Sequence, residues 1–149
     1  MVGGILTLVV LCGSMVYSHC QIPCGIYGDS TRFDILGEHI TTVEKSMKLI
    51  DELSAAKQPN MNQVVRWVEN KEKHTDEINH ILTYYFMAQR IKPATEGSEA
   101  YPDYVKKITL LHQMLVHTMK AKQTTDVSHI AKLRELLGQF HAAYTGHSH

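Results

Sequence analysis

The sequence has no excess of charge of either sign. Its 15 Lys and Arg balance its 15 Asp and Glu, which indicates neither a polyanionic partner nor an acidic tail. Dense basic clusters are missing as well. The nearest approaches, Lys106-Lys107 and Lys120 with Lys122, are too sparse for a nucleic-acid face. The apolar run from Ile5 to Leu11 is too short to span a bilayer. There is no alternating strand pattern, no internal repeat, no Walker loop, no Rossmann glycine pattern and no Ser/His/Asp order. The seven methionines form no Met-x-x-Met cluster, so they read as filler of irregular gaps rather than copper thioethers. What these exclusions leave is one domain acting on something small.

The 149 residues suffice for a sizeable core. After a turn at Gly28-Asp29-Ser30, with Asp29 or Ser30 as the N-cap, Leu36, Ile40, Val43, Met47, Ile50 and Leu53 recur at spacings of three and four. That is the stripe of an amphipathic helix, and Gly37 within it suggests close packing. Gln58-Pro59-Asn60 ends the segment, and Pro59 or Asn60 opens the next. Met61, Val64, Val65, Val68, Ile78, Ile81, Leu82 and Tyr85 mark a second helix reaching about Arg90, with a charged middle from Glu69 to Glu77 that is either solvated or met by another subunit. Lys92-Pro93 stops it. A third helix runs from about Glu99 to Lys122, with Pro102 in its first turn and Tyr104, Ile108, Leu111, Leu115 and Met119 on one side. Thr125 or Asp126 caps a fourth, carrying Ile130, Leu133, Leu136, Leu137 and Phe140, and a tail begins at Gly146. The fold class is all-α. Four such helices joined by short loops predict an antiparallel four-helix bundle over 28–149.

Residues 1–18 read as a secretory signal peptide, with Val16-Tyr17-Ser18 placing permissive residues before a cut at His19. Secretion is the expectation, an organellar signal the alternative, and no stable membrane insertion follows the cut. Cys12 would leave with the leader. Of the three cysteines, Cys20 and Cys24 then remain, within six residues of a new terminus at His19.

That terminus gathers unusual donors: the free α-amine, the His19 imidazole, the Cys20 amide nitrogen, and the Cys20 and Cys24 sulfurs. Amine, amide nitrogen and Cys20 sulfur can close two adjacent chelate rings on one ion. Cys24 can add a fourth in-plane ligand through the turn Gln21-Ile22-Pro23, which Pro23 stiffens. Planar N2S2 ligation favours Ni(II) or Cu(II) over tetrahedral zinc, and the His19 ring can approach axially. The same two cysteines could instead pair as a disulfide in an oxidising compartment.

The run His19-Cys20-Gln21-Ile22-Pro23-Cys24-Gly25-Ile26-Tyr27 resembles the nickel hook of the nickel superoxide dismutases. The likeness continues through Arg66 to His74 and Tyr85 to Pro93, and most of 19–144 can be laid on the family pattern. The resemblance implies a nickel ion bound by His19, Cys20 and Cys24, with Tyr27 over the open face gating small anions. It implies superoxide as substrate, conversion to dioxygen and hydrogen peroxide by Ni(II)/Ni(III) cycling, and a homohexamer with hooks at subunit contacts. His19 and Tyr27 are the catalytic candidates. Two departures stand out: Gln21 sits where the family often has Asp, and the Glu–Arg pair that orients the ligand histidine falls at Asp34 and Arg66. The competing readings are a secreted helical-bundle binding protein with a Cys20–Cys24 disulfide, and a copper or nickel carrier without turnover.

Ten histidines invite a second metal reading. His112 and His117 are off the i, i+4 spacing, as are His74 and His80, while Glu77 and His80 form a single Glu-x-x-His pair where a di-iron bundle needs two. His147 and His149 fall in the tail. These are expected to be surface or hydrogen-bonded histidines. Trp67, Tyr84, Tyr85 and Phe86 are expected in the core or at subunit contacts.

Overall fold

The computed structural model of the chain describes residues 28–146. Four helices carry the fold: α1 Asp29–Ser54, α2 Met61–His80, α3 Tyr101–Gln123 and α4 Ser128–Thr145. No strand occurs among the described residues. None of their helices is long and apolar enough to cross a membrane. Helix α2 continues without a break as a π-helical segment, Ile81–Arg90.

Polar cross-links set the helix directions. Between α1 and α2, Asn70 donates to Ser46 at 3.0 Å while the His39 and His74 rings meet at 2.7 Å, so numbering rises in one helix as it falls in the other. Arg134 to Glu44 (2.7 Å) and Tyr144 to Asp29 (2.9 Å) do the same for α4 on α1. The result is the expected antiparallel bundle, with α1 packed chiefly on α2 and α3 on α4.

Apolar periodicity explains the core. Leu36, Ile40, Val43 and Met47 of α1 meet Ile78 of α2, Leu111 and Met114 of α3, and Ile130, Leu133 and Leu136 of α4, all buried. Four rings close one end of the bundle: Phe33, Phe86, Phe140 and Tyr144 lie with centroids 5.0–5.7 Å apart. Tilted and edge-on pairs of this kind add to the gain from buried area.

The π-helical winding has a visible consequence. Ile91 N–H donates to Phe86 C=O at 2.9 Å, a bond across five residues. A turn of this length keeps Ile81, Tyr85 and Phe86, and then Arg90, on the inner side, where α-helical spacing would rotate one of them outward.

Several expectations shift. The N-cap of α1 is Gly28, which has no side chain to offer, and Asp29 is the first helical residue. Asn60 does cap α2, accepting from Gln63 N–H at 3.3 Å. Helix α4 starts at Ser128, although the Asp126 carboxylate still accepts from Ser128 N–H at 2.8 Å. Gly146 ends α4 at φ 74°, a left-handed conformation suited to glycine. A Cβ at Gly37 would meet nothing within 4 Å, so close packing does not explain that residue. Met61, Val65, Val68 and Met119 are 61%, 51%, 37% and 47% exposed, so these predicted core positions lie on the surface. From the charged middle of α2, Lys71 and Thr75 turn inward and are buried.

Candidate metal centre

His19, Cys20, Cys24 and Tyr27 lie outside the described residues. What is described is the place where the chain enters the bundle, and a carboxylate occupies it. Asp29 follows Tyr27 by two positions and Cys24 by five. Its Oδ1 accepts from Tyr85 OH at 2.5 Å, from Arg90 Nε at 2.8 Å and from Arg90 Nη2 at 2.6 Å. Its Oδ2 accepts from Tyr144 OH at 2.9 Å. The start of α1, the end of the π-helical segment and the end of α4 thus converge on one carboxylate.

The local sequence explains the convergence. Glycine at the N-cap leaves the first turn without a capping side chain, and Asp29 is free to reach across the helix end. The π-helical turn brings Tyr85 and Arg90 to the same face. The Arg90 guanidinium lies over the Tyr85 ring at 5.4 Å and Arg32 over the same ring at 5.1 Å.

Electrostatics follow from the contacts. Burial alone would raise the Asp29 carboxyl, but hydrogen bonds from Tyr85, Tyr144 and Arg90 outweigh it and hold the group below the usual carboxylate value. Burial and then the Asp29 carboxylate push the Tyr85 phenol up to about 12. The same two causes raise Tyr144. The bond to Asp29 raises Arg90 further above its ordinary value. The cluster is a fixed ion pair, with both phenols kept protonated as donors.

A cleft of about 300 Å³ opens beside it, lined among others by Arg90, Lys92, Tyr104, Lys107 and Tyr144. Asp103 pairs with Lys107 at 2.6 Å. The wall shared with the Asp29 cluster is formed by Arg90 and Tyr144, both already bonded to the Asp29 carboxylate.

The predicted orienting pair is not formed. Asp34 and Arg66 are both exposed, and no ion pair joins them among the described residues. Asp34 lies early in α1 and Arg66 early in α2. With the helices antiparallel, about 20 Å of helical rise separates them. Asp29 and Arg90 form the acid–base pair at the hook end instead. Asp29 was legible only as a helix start, and Arg90 only as a helix end.

The histidines also divide. His74 meets His39 of α1, Nδ1 to Nδ1, so one ring donates and the other accepts. His117 faces His129 at 5.5 Å between centroids, and its buried Nδ1 has no hydrogen-bond partner among the described residues. His112 and His80 are exposed, as expected, and His147 and His149 lie outside the described residues. Phe86 and Tyr85 are core residues, Trp67 is half-buried and Tyr84 is 48% exposed. Among the described residues, no group of three His, Cys, Asp or Glu side chains could hold a metal ion.

Compared with known proteins, the chain matches the family model described as nickel-containing superoxide dismutase over residues 14–148. No curated protein and no solved structure matches it.

Proposed function

The chain belongs to the nickel-containing superoxide dismutase family, and from that premise we propose that His19, Cys20 and Cys24 are the residues that hold its nickel. As a member of that family it is a nickel-dependent enzyme that converts superoxide to dioxygen and hydrogen peroxide. The observation that carries the assignment of the site is the span of the match, which takes in the whole of 19–27 together with all four helices.

The donor chemistry fits the metal. An α-amine, an amide nitrogen, two sulfurs and an imidazole would together hold nickel, a metal suited to mixed nitrogen and thiolate donors. Bound there, nickel supplies the one-electron cycling that dismutation needs. The chain's own part is to present the donors. His19 contributes its amine and its ring, Cys20 and Cys24 supply thiolate charge, and Tyr27 shapes access for a small anion. A cut before His19 frees the amine, so removal of residues 1–18 is also activation, and secretion is the route that supplies it. Assembly as a homohexamer is consistent with the exposed apolar row Met61, Val65 and Val68, a kind of surface that association covers.

Native mass spectrometry of the processed protein tests the site, the cut and the assembly together. The expected species begins at His19 and carries one nickel per chain. A nickel-loaded chain that begins elsewhere would refute the terminal-amine site. Cys24→Ser is expected to abolish nickel-dependent activity with helicity unchanged, and wild-type turnover in that variant would exclude Cys24 as a ligand.

A further inference from the structure

We propose that Asp29, with Tyr85, Arg90 and Tyr144, is the anchor that seats the metal-binding hook on the bundle. Asp29 is then a positioning residue, acting through the chain that leads to Cys24. The inference rests on the assignment of nickel to His19, Cys20 and Cys24.

Three observations carry it. The first is reach: five residues link Cys24 to Asp29, and at about 3.3–3.6 Å each they span at most roughly 18 Å. Wherever the hook sits, Asp29 fixes the centre of the volume available to it. The second is the lack of a side-chain cap at this helix start, because Gly28 brings none, so the Asp29 bonds secure the turn that precedes the Phe33 packing. Without the Asp29 bonds, the first turn of α1 would fray as helix ends do, and the tether would lengthen. The third is the number and origin of the bonds. Four donor groups from two other elements hold one carboxylate at 2.5–2.9 Å. An acid that served only the helix dipole could face water. This one is tied to the π-helical segment and to α4, which contribute Arg90 and Tyr144 to the neighbouring cleft.

The geometry has a direct consequence for metal retention. On this proposal, loss of the Asp29 bonds would lengthen the tether to Cys24 and make the nickel easier for competing chelators to remove. Loss of an outer partner of a metal centre commonly costs about 10–100-fold in affinity or activity, and an effect at the lower end of that range is expected here.

The test uses the processed, nickel-loaded protein and follows nickel release to excess chelator through loss of the nickel–thiolate absorption. Asp29→Ala is expected to release nickel about tenfold faster than wild type, and Asp29→Asn, which keeps the shape but weakens the Arg90 pair, by a smaller factor. Ile130→Val is the control, because it thins the core at the opposite end of the bundle and leaves the anchor intact. Thermal midpoints of the nickel-free proteins show how far each variant loosens the bundle. Faster release in the Asp29 variants than in a control of similar thermal midpoint supports the anchor. Release from Asp29→Ala at the rate of wild type, or only as fast as the control, overturns it. Nickel that wild type holds outside His19, Cys20 and Cys24 overturns the hook assignment itself, and the anchor with it.

Discussion

The two ends of the bundle are built differently. Where the chain enters α1, Phe33, Phe86, Phe140 and Tyr144 fill the space between helices, and the Asp29 ion pair closes it. At the opposite end, where α1 turns into α2, Ile50 and Leu53 are only half-buried and Met61, Val65 and Val68 are exposed. There an aliphatic core of Val64, Ala121 and Ile130 is joined by cations, Lys122 to Asp76 at 2.7 Å on the surface and Lys71 in the interior. Lys71 is 5% exposed, and its ammonium donates to the carbonyls of Ala121 (3.1 Å), Lys122 and Thr124 (3.3 Å) at the end of α3. Aromatic packing fills the hook end, while at the far end an aliphatic core is supplemented by a buried cation at a helix C-terminus. The difference places rigidity beside the proposed metal centre and leaves apolar surface at the end remote from it.

The sharpest test of this contrast is truncation of matched apolar residues. Phe86→Ala should cost about 3–5 kcal/mol, because a fully buried ring leaves a cavity that its tilted neighbours cannot fill. Val65→Ala should change stability by less than about 0.5 kcal/mol in a monomeric chain. Urea unfolding of both variants measures the gap. Comparable losses would mean that the far end is packed as tightly as the hook end. Lys71→Ala should fall between them, at roughly 1–3 kcal/mol, because it leaves three helix-terminal carbonyls without their donor. Burial lowers the Lys71 ammonium despite Glu72 at 3.7 Å, so some of its charge advantage is already offset.

How much of this the sequence carried differs between the same two regions. The helical stripes Leu36–Ile40–Val43–Met47 and Ile130–Leu133–Leu136 were legible, because 3.6-residue periods are local properties, while the proposed donors at 19–24 are read from the sequence alone and lie outside the described residues. The Asp29 cluster was not legible. It depends on a π-helical turn and on residues up to 115 positions apart, which no local pattern encodes. The stripe of α2 misled for a related reason. Val65 and Val68 have the periodicity of a buried face, but among the described residues they stay 51% and 37% exposed. Lys71 erred in the other direction. Its charge suggested solvent, while the carbonyls that bury it come from a loop and helix end about 50 residues away. Asp34 and Arg66 do not meet within one chain, since residues early in two antiparallel helices lie toward opposite ends of the bundle.

pH reaches the Asp29 cluster and the histidine contacts in different ranges. At the hook end, the Tyr85 phenol titrates near 12 when folded, above its ordinary value of 10.0. A raised value gives stability that is complete below pH 10 and lost as pH climbs towards 12. That loss is at most roughly 3 kcal/mol, and Tyr85→Phe should flatten it. Asp29 works at the other limit: its lowered value gives stability that is present above the ordinary carboxylate range and lost as pH falls through the folded value. The histidine contacts between helices respond at milder acidity. Burial, then the neighbouring His74, lowers His39; burial, then His129, lowers His117. A lowered imidazole gives stability that is complete above pH 6.5 and lost as pH falls below it. Thermal midpoints measured from pH 8 to pH 5 should therefore fall, and His39→Asn with His117→Asn should reduce the slope. An unchanged slope would show that neither ring resists protonation in the fold.

The smallest effect should be a gain. Gly37 lies within α1 with ordinary helical geometry, and a Cβ there would meet no atom within 4 Å. Glycine in such a position leaves the unfolded chain more freedom than alanine would, without using the space it leaves in the fold. Gly37→Ala should raise stability by about 0.5–1 kcal/mol, an increment that urea unfolding resolves when wild type and variant are measured together. The residue borders an open groove shared with Phe33, Asp34 and Arg134 on the hook half of the bundle. If alanine instead destabilises the nickel-free chain, that groove is filled by something the glycine makes room for, and the hook end is less complete than its aromatic packing suggests.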